Sequence, residues 1–479
     1  MDEPQIVEPK LLRGFRDYPP AQMNARLRII ATIRAVYERY GFQPLDTPAL
    51  EYRATLMGYG EEGAKQIFSF VNPEEENVAL RFDLTVPLAR VVAQYPDLIL
   101  PFRRYQVAPV WRADKPDPGR YREFTQFDID SVGTSSMSAD VEILCAIYDA
   151  LRALGIGKFR IRFSDRKVLN SLLDFAGIPR ADAHKVFRVL DKLDKIGEDG
   201  VAAELTGGRV DASGDKIPGL GLGSSQVRGI MEFLALPKGS RRTVLAGAAE
   251  LFHNVPSASE AIEELEFICA SLERLAIPEE FVELDLSIAR GLDYYTGPVF
   301  EAVLTDAPEF GSVVGGGRYD GLVERFLNRK IPAVGASIGI DRLLAALQKL
   351  GLAELSASTA QVLVTVMEPS RIGDYQEIAR ELREAGINTE MYLGDEAGLG
   401  RQLQYANRQD IPVAVIIGSE EFSRGEVTVK NLRLGARLQD KKSAVGKERE
   451  EWLKLSRTVQ TTVPRAAYIP YIEEVLAGL

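Results

Sequence analysis

The sequence predicts an α+β protein: an antiparallel sheet flanked by helices, a helical insertion, and a small α/β domain at the C-terminal end. Three observations carry this. Strand-like patterns recur at 78–82, 102–111, 121–132, 281–288, 297–305 and 333–340. Between the third and fourth of these, residues 167–278 are dominated by helical periodicity. From about 358 short apolar strands alternate with helices, the pattern of a small domain with a largely parallel sheet. The expected boundaries are 1–166 and 279–357 for the two parts of the sheet domain, 167–278 for the insertion and 358–479 for the last domain. A chain of 479 residues at roughly 150 per domain agrees with that division.

Each element has a local reason. Ile29, Ile33, Val36 and Tyr40 repeat at helical spacing within 20–40, and Gly41 stops that helix. Phe42-Gln-Pro-Leu-Asp-Thr-Pro48 follows as a short strand closed by proline. Val78–Phe82 is a strand, and a helix starts at Thr85 with Pro87 tolerated in its first turn. Pro116, Pro118 and Gly119 mark 113–120 as the long loop of a hairpin joining 102–111 to 121–132. Helices are expected at 180–196, 224–235, 240–253 and 257–275, with a glycine-rich stretch, Gly207 to Gly223, among them. The alternating segment 333–340 runs into a helix at 341–350. The last domain reads as strand 362–366, helix 373–386, strand 388–393, helix 397–408 and strand 413–417.

Composition narrows the chemistry. Charged residues are 27% and hydrophobic ones 46%, an ordinary globular mixture. The net charge of −11 argues against coating nucleic acid by bulk positive charge, although 103–123 carries a local +3 and 424–457 a local +5. The two cysteines, Cys145 and Cys269, cannot make a disulfide framework or a cysteine-rich zinc site. The two histidines, His184 and His253, lie in helix-like contexts and read as structural. The chemistry is therefore expected from arginines, carboxylates, tyrosines and a soluble metal ion. The acidic start without an apolar core argues against a targeting peptide, and no apolar run reaches the ~18 residues of a membrane span. The cytoplasm is the expected compartment.

Five arginine-centred segments stand out. In Arg81-Phe-Asp-Leu-Thr-Val-Pro87, Asp83 and Thr85 on one side of an extended stretch could hold an ammonium group; the plain alternative is a helix cap at Thr85. Along 121–132, alternation puts Arg122, Phe124, Gln126, Asp128 and Asp130 on one face, which suits a charged, planar ligand or else a solvated outer face. Arg290-Gly-Leu-Asp-Tyr294-Tyr295 follows the 281–288 strand pattern. Gly315-Gly-Gly-Arg-Tyr319-Asp-Gly321 lets a backbone approach a ligand closely, or makes a bulge, and fits neither nucleotide-binding glycine fingerprint. Asp341-Arg342 sits where a strand meets a helix, so Arg342 could reach an anion or simply pair with Asp341.

In their order, these segments resemble the three signature motifs of class II aminoacyl-tRNA synthetases. Arg290-Gly-Leu-Asp-Tyr-Tyr295, Gly316-Gly-Arg-Tyr-Asp-Gly-Leu322 and Leu80-Arg-Phe-Asp-Leu-Thr85 are similar specifically to histidyl-tRNA synthetases. The resemblance spans essentially the whole chain, and 358–479 is similar to the anticodon-binding domain of several class II synthetases. It implies a histidine–tRNA ligase using L-histidine, ATP, Mg2+ and a histidine tRNA, working as a homodimer. By resemblance, Arg112 and Arg290 grip the α-phosphate and Arg342 the γ-phosphate, all three as catalytic groups. Arg112, Arg120, Phe124 and Arg342 bind ATP, with Mg2+ on the outer phosphates and no protein-only metal site. Asp83 and Thr85 take the α-ammonium group. Arg112, Gln126, Asp130, Arg290, Tyr294, Tyr295 and Tyr319 surround the histidine. Many family members carry Glu where Asp83 and Asp130 stand, so the shorter side chains change the reach. The basic stretch 424–457 and the arginines near 401–408 are candidates for the anticodon stem-loop, and 113–120 for the acceptor end. The competing reading is a non-catalytic paralogue, either the regulatory subunit of ATP phosphoribosyltransferase or a tRNA-sensing domain. Retention of Arg112, Arg290 and Arg342 weighs against it.

Overall fold

The computed structural model describes residues 7–57, 65–117, 119–211, 214–288, 294–395, 398–435 and 459–479. Arg290 and residues 436–457 of the basic stretch lie outside the described residues. Contacts divide the chain into two compact units, residues 1–16 with 28–353, and residues 17–27 with 354–479.

In chain order the strands are β1 (Gln43–Pro44), β2 (Leu50–Tyr52), β3 (Ser69–Val71), β4 (Asn77–Leu80), β5 (Phe102–Trp111), β6 (Glu123–Val132), β7 (Phe159–Asp165), β8 (Gly208–Val210), β9 (Lys216–Pro218), β10 (Val282–Leu284), β11 (Pro298–Leu304), β12 (Ser312–Arg318), β13 (Ala333–Gly339), β14 (Val362–Val364), β15 (Thr389–Met391), β16 (Val413–Ile416), β17 (Glu426–Asn431) and β18 (Gln460–Pro464). Among the described residues, the first unit holds an eight-stranded sheet in the order β1-β5-β6-β13-β12-β11-β7-β10. Its six central strands pair antiparallel, as expected, and a parallel pair closes each end: β1 on β5 and β10 on β7. The 281–288 pattern yields only the three residues of β10, and the strand expected to run to Pro48 is only two residues long.

The β5–β6 hairpin is the spine of this sheet, with ten residue pairs from Phe102↔Val132 to Trp111↔Glu123. Period-2 alternation gives β6 two different faces. Phe127 and Ile129 are fully buried on one face, where Phe127 meets the rings of Tyr37 and Tyr105 at 5.1 and 5.8 Å. Tyr37 comes from the helix Pro20–Arg39. The other face carries Gln126, Asp128 and Asp130, each at most 8% exposed, so it is not a solvated outer face.

A second helix is held on the Phe127–Ile129 side of the sheet. Met137–Ala153 is held to β12 by a buried ion pair: Arg318 donates to both oxygens of Asp140 and to the Thr134 and Ser136 carbonyls. Burial outweighs that arginine and pushes the Asp140 carboxyl up to about 6. In the stretch expected to be an insertion, 180–196 is two helices rather than one, Ala183–Leu190 and Leu193–Leu205, the second kinked at Gly197 with φ +67°. The glycine-rich stretch contains the β8–β9 hairpin. In the second unit the sheet order is β15-β14-β16-β17-β18. Its first three strands are parallel, as expected, and β17 and β18 are antiparallel. Among the described residues no helix is long and apolar enough to cross a membrane.

Candidate active site

The six steps from Phe124 to Asp130 at about 3.3 Å each give β6 a polar face roughly 20 Å long. A cavity of about 590 Å³ lies on that face. It gathers Asp83, Thr85, Arg112, Arg120, Phe124, Gln126, Asp130, Tyr294, Tyr295, Tyr319 and Arg342, eleven of the twelve residues singled out in the sequence. The twelfth, Arg290, belongs to the segment that is not described.

One end of the cavity is acidic. Asp83 does not sit in an extended stretch as expected. It turns the chain into the helix Thr85–Gln94, where its Oδ1 accepts the backbone N–H groups of Thr85 and Val86 at 3.1 and 3.0 Å. The cap is therefore Asp83 rather than Thr85, and both side chains still line the cavity. On β6, Asp130 sits 2.7 Å from Nη2 of Arg104 and accepts the Tyr319 hydroxyl. Arg104 is fully buried on β5 and also donates to the Leu84 carbonyl at 3.2 Å. Asp128 lies 3.9 Å from the same guanidinium. Burial raises both carboxyls, Asp128 to about 7, with Arg104 opposing the rise in each. Tyr294 and Tyr295 pack edge-to-face at 4.9 Å, and Tyr294 meets Tyr319 at 5.9 Å. Burial raises the Tyr295 and Tyr319 phenols above their ordinary value, so they serve as neutral donors.

The floor is glycine for a steric reason. In register, Gly335 stands opposite Asp130, and Gly317 beside Gly335. A Cβ at 335 would lie 2.6 Å from Asp130 Cγ, and one at 317 would lie 2.9 Å from the Tyr295 ring. At Gly315 a Cβ would meet nothing within 4 Å, because the open cavity is above it.

The other end is cationic. Arg112 is held by its Nε donation to the Phe82 carbonyl at 3.0 Å and lies 4.3 Å from the Phe82 ring and 5.2 Å from the Phe124 ring. Arg120 pairs with Asp114 at 2.6 Å across the 113–120 loop. Arg342 donates to the Ser312 carbonyl at 2.7 Å, while Asp341 accepts the Thr125 backbone N–H, which ties the helix Ile340–Lys349 to β6. Two anchored guanidinium groups beside an aromatic ring suit a nucleotide with its phosphates.

Sequence reasoning missed several parts. Arg104 and Gln106 alternate onto the site face of β5, a pattern that pointed to them. Arg166, His184, Phe187, Arg188 and Asp191 also line the cavity, the last four on or just after the helix Ala183–Leu190. Their spacing of three, one and three residues is one helical stripe, but nothing in sequence says that the stripe faces β6. Arg318, in the glycine-rich segment, serves packing rather than the cavity.

A sequence profile described as Histidyl-tRNA synthetase matches residues 14–343. The chain belongs to the histidyl-tRNA synthetase family. A second profile, Anticodon binding domain, matches 361–452. Histidine–tRNA ligases from Cereibacter sphaeroides and Paracoccus denitrificans are 42% and 43% identical to it, each over 99% of this chain and 98% of the relative. A histidyl-tRNA synthetase structure from Nostoc sp. PCC 7120 superposes with TM-score 0.81 at 32% identity, covering 98% of this chain and all of that one. A Bacillus halodurans protein described as an ATP phosphoribosyltransferase regulatory subunit/histidyl-tRNA synthetase shares the fold at TM-score 0.68 and 24% identity, covering 84% of this chain.

Proposed function

We propose that this chain is a histidine–tRNA ligase. The observation that carries the reading is the single cavity with carboxylates at one end and anchored arginines at the other. The α-ammonium group of L-histidine lies by Asp83 and Thr85, and its side chain lies toward Asp130, Tyr319, Tyr294 and Tyr295, with Gln126 beside it. ATP lies along the cationic end, its adenine against Phe124 and its outer phosphates by Arg120 and Arg342. The histidine carboxylate attacks the α-phosphorus, the bond to the β-phosphate oxygen breaks, and pyrophosphate leaves with that electron pair. Arg112, at the cationic end, meets the charge that grows on the α-phosphate. Fixed cations suit this reaction because phosphoryl chemistry asks the protein mainly for positioning and charge stabilisation. In the second step a ribose hydroxyl of the terminal adenosine attacks the histidyl carbonyl and AMP leaves. A site that bonds both imidazole nitrogens rejects isosteres by leaving its own polar groups unpaired.

Among the described residues no group of three or more His, Cys, Asp or Glu side chains is arranged to hold a metal. Mg2+ would arrive on the ATP phosphates, because this ion keeps several waters and needs only one or two protein carboxylates. There it would neutralise charge on the outer phosphates. By resemblance, Arg290 is the second grip on the α-phosphate. The same reading assigns 167–278 to an insertion, 358–479 with its basic stretch to the anticodon, and the enzyme to the cytoplasm as a homodimer. The homodimer is supported by an exposed apolar face on the small β2-β4-β3 sheet, where Leu50, Tyr52 and Phe70 are each at least 44% exposed. The paralogue reading is disfavoured because Arg112 and Arg342 both reach the cavity. The deciding experiment is amino-acid-dependent exchange of pyrophosphate into ATP, run with all twenty amino acids. Exchange with histidine alone is expected; none with any amino acid, or exchange with a different one, would refute the reading.

A further inference from the structure

The carboxylate that resemblance gives to the imidazole is already engaged. Asp130 accepts the Tyr319 hydroxyl on Oδ1; its Oδ2 accepts no hydrogen bond among the described residues but is ion-paired with Arg104 at 2.7 Å, and the carboxylate lies against Gly335. Asp128, two residues earlier on the same face, is in a different state. It lines the same cavity and is 2% exposed, and its Oδ1 has no hydrogen-bond partner among the described residues. Its other neighbours are Arg104 at 3.9 Å and Ser337, whose hydroxyl favours the charged form. A buried carboxylate oxygen without a donor is costly and uncommon, and here burial pushes the carboxyl up to about 7. The cross-strand row Gln106, Asp128, Ser337, Gly315 includes the glycine whose Cβ direction is open, so there is room above that part of the row for a flat ring.

We infer that Asp128 is the specificity-determining acceptor for a ring N–H of bound histidine, and that Asp130 is a positioning residue that holds Arg104 and Tyr319. This rests on the histidine reading above. The family's longer Glu at position 130 could reach past such partners, whereas Asp130 is one methylene shorter. The missing acceptor is then supplied from the next position along the same strand face.

The test uses the full chain and histidine-dependent pyrophosphate exchange, with thiazolylalanine as competitive inhibitor. That analogue keeps the five-membered ring, but sulfur replaces one nitrogen and it carries no ring N–H. Asp128→Asn and Asp128→Ala are expected to raise the KM for histidine about ten- to hundred-fold, the range of a hydrogen bond to a charged group. They should leave the thiazolylalanine inhibition constant and the KM for ATP within about twofold, so that the preference for histidine over the analogue collapses. The asparagine variant preserves shape and guards against a packing defect in the alanine one. Asp130→Asn should weaken histidine and analogue together. Equal weakening of both ligands in the Asp128 variants, an unchanged KM for histidine, or collapse of the preference in Asp130→Asn instead, would overturn the assignment. Exchange that does not depend on histidine in the unaltered chain would overturn the histidine reading itself, and this assignment with it.

Discussion

Replacing Gly335 by alanine is the sharpest probe of how the acidic end is built. The new Cβ would sit 2.6 Å from Asp130 Cγ and 2.6 Å from the Ile129 carbonyl oxygen, with the Asp130 carboxylate closer still. Ordinary contact needs roughly 3.5 Å, so something must move on the order of 1 Å. The Ile129 oxygen is backbone in the middle of β6, and Phe127 and Ile129 are fully buried behind it, so the strand cannot retreat cheaply. The carboxylate moves instead and loses its fit to Tyr319 and Arg104. Overpacking costs about 1–3 kcal/mol, and a damaged charge-assisted hydrogen bond adds about 1.5–3 kcal/mol. Melting should fall by several degrees, and the KM for histidine should rise at least about tenfold while that for ATP stays near its original value. Gly315→Ala is the control. Its Cβ meets nothing within 4 Å, so its melting temperature should not change. If Gly335→Ala melts and binds histidine like the unaltered chain, the glycine floor has no steric role and the argument fails.

Arg318→Met strips the buried Asp140 of its partner and should cost about 3–5 kcal/mol in denaturant unfolding, with much of it recovered by adding Asp140→Leu. Stability should also fall as pH rises from about 4 to about 7. Burial raises the folded-state carboxyls of Asp140 to about 6 and Asp128 to about 7, so in that window the folded chain holds protons the unfolded chain has released. Asp128→Asn should flatten the upper part of the curve; a denaturation midpoint that climbs steadily across the window would contradict the sign. Arg112→Ala should reduce exchange on the order of a thousandfold with little change in melting, because among the described residues its side chain makes one hydrogen bond, to the Phe82 carbonyl, beside its contacts with the Phe82 and Phe124 rings; a loss below tenfold would remove it from the phosphate step.

Legibility followed periodicity. The helices at 224–235, 240–253 and 257–275, and the strands β5, β6, β11 and β13, lie where alternation or helical spacing puts them, within a residue or two. The helix Met137–Ala153 escaped because ten of its residues are buried, so it carries a broad apolar surface in place of one narrow stripe. β7 was readable and overlooked: Phe159, Ile161 and Phe163 alternate with Arg160 and Arg162. The continuation of the helix to Leu205 was hidden by Gly197 and Gly200, which locally read as stops. At the site, resemblance located the residues, but only tertiary pairing revealed their states. A charged residue in a strand reads as solvent-facing, and nothing in the order of letters says that Arg104 is sealed between Asp130 and the Leu84 carbonyl.

The two faces of β6 also limit how this protein can change. One face is hydrocarbon packed on Tyr37 and Tyr105; the other holds the ligand-facing carboxylates and amide. Deleting a single residue inside the strand would shift the register by one and exchange the faces, putting Asp128 and Asp130 into the oil and Phe127 and Ile129 into the cavity. Length variation is therefore barred from residues 123–132 and has its outlet in the 113–120 loop, where the hairpin can grow or shrink without moving a floor position. Side chains along the strand can be exchanged only within the pattern of each face, and the span of the hairpin can be altered only at its tip.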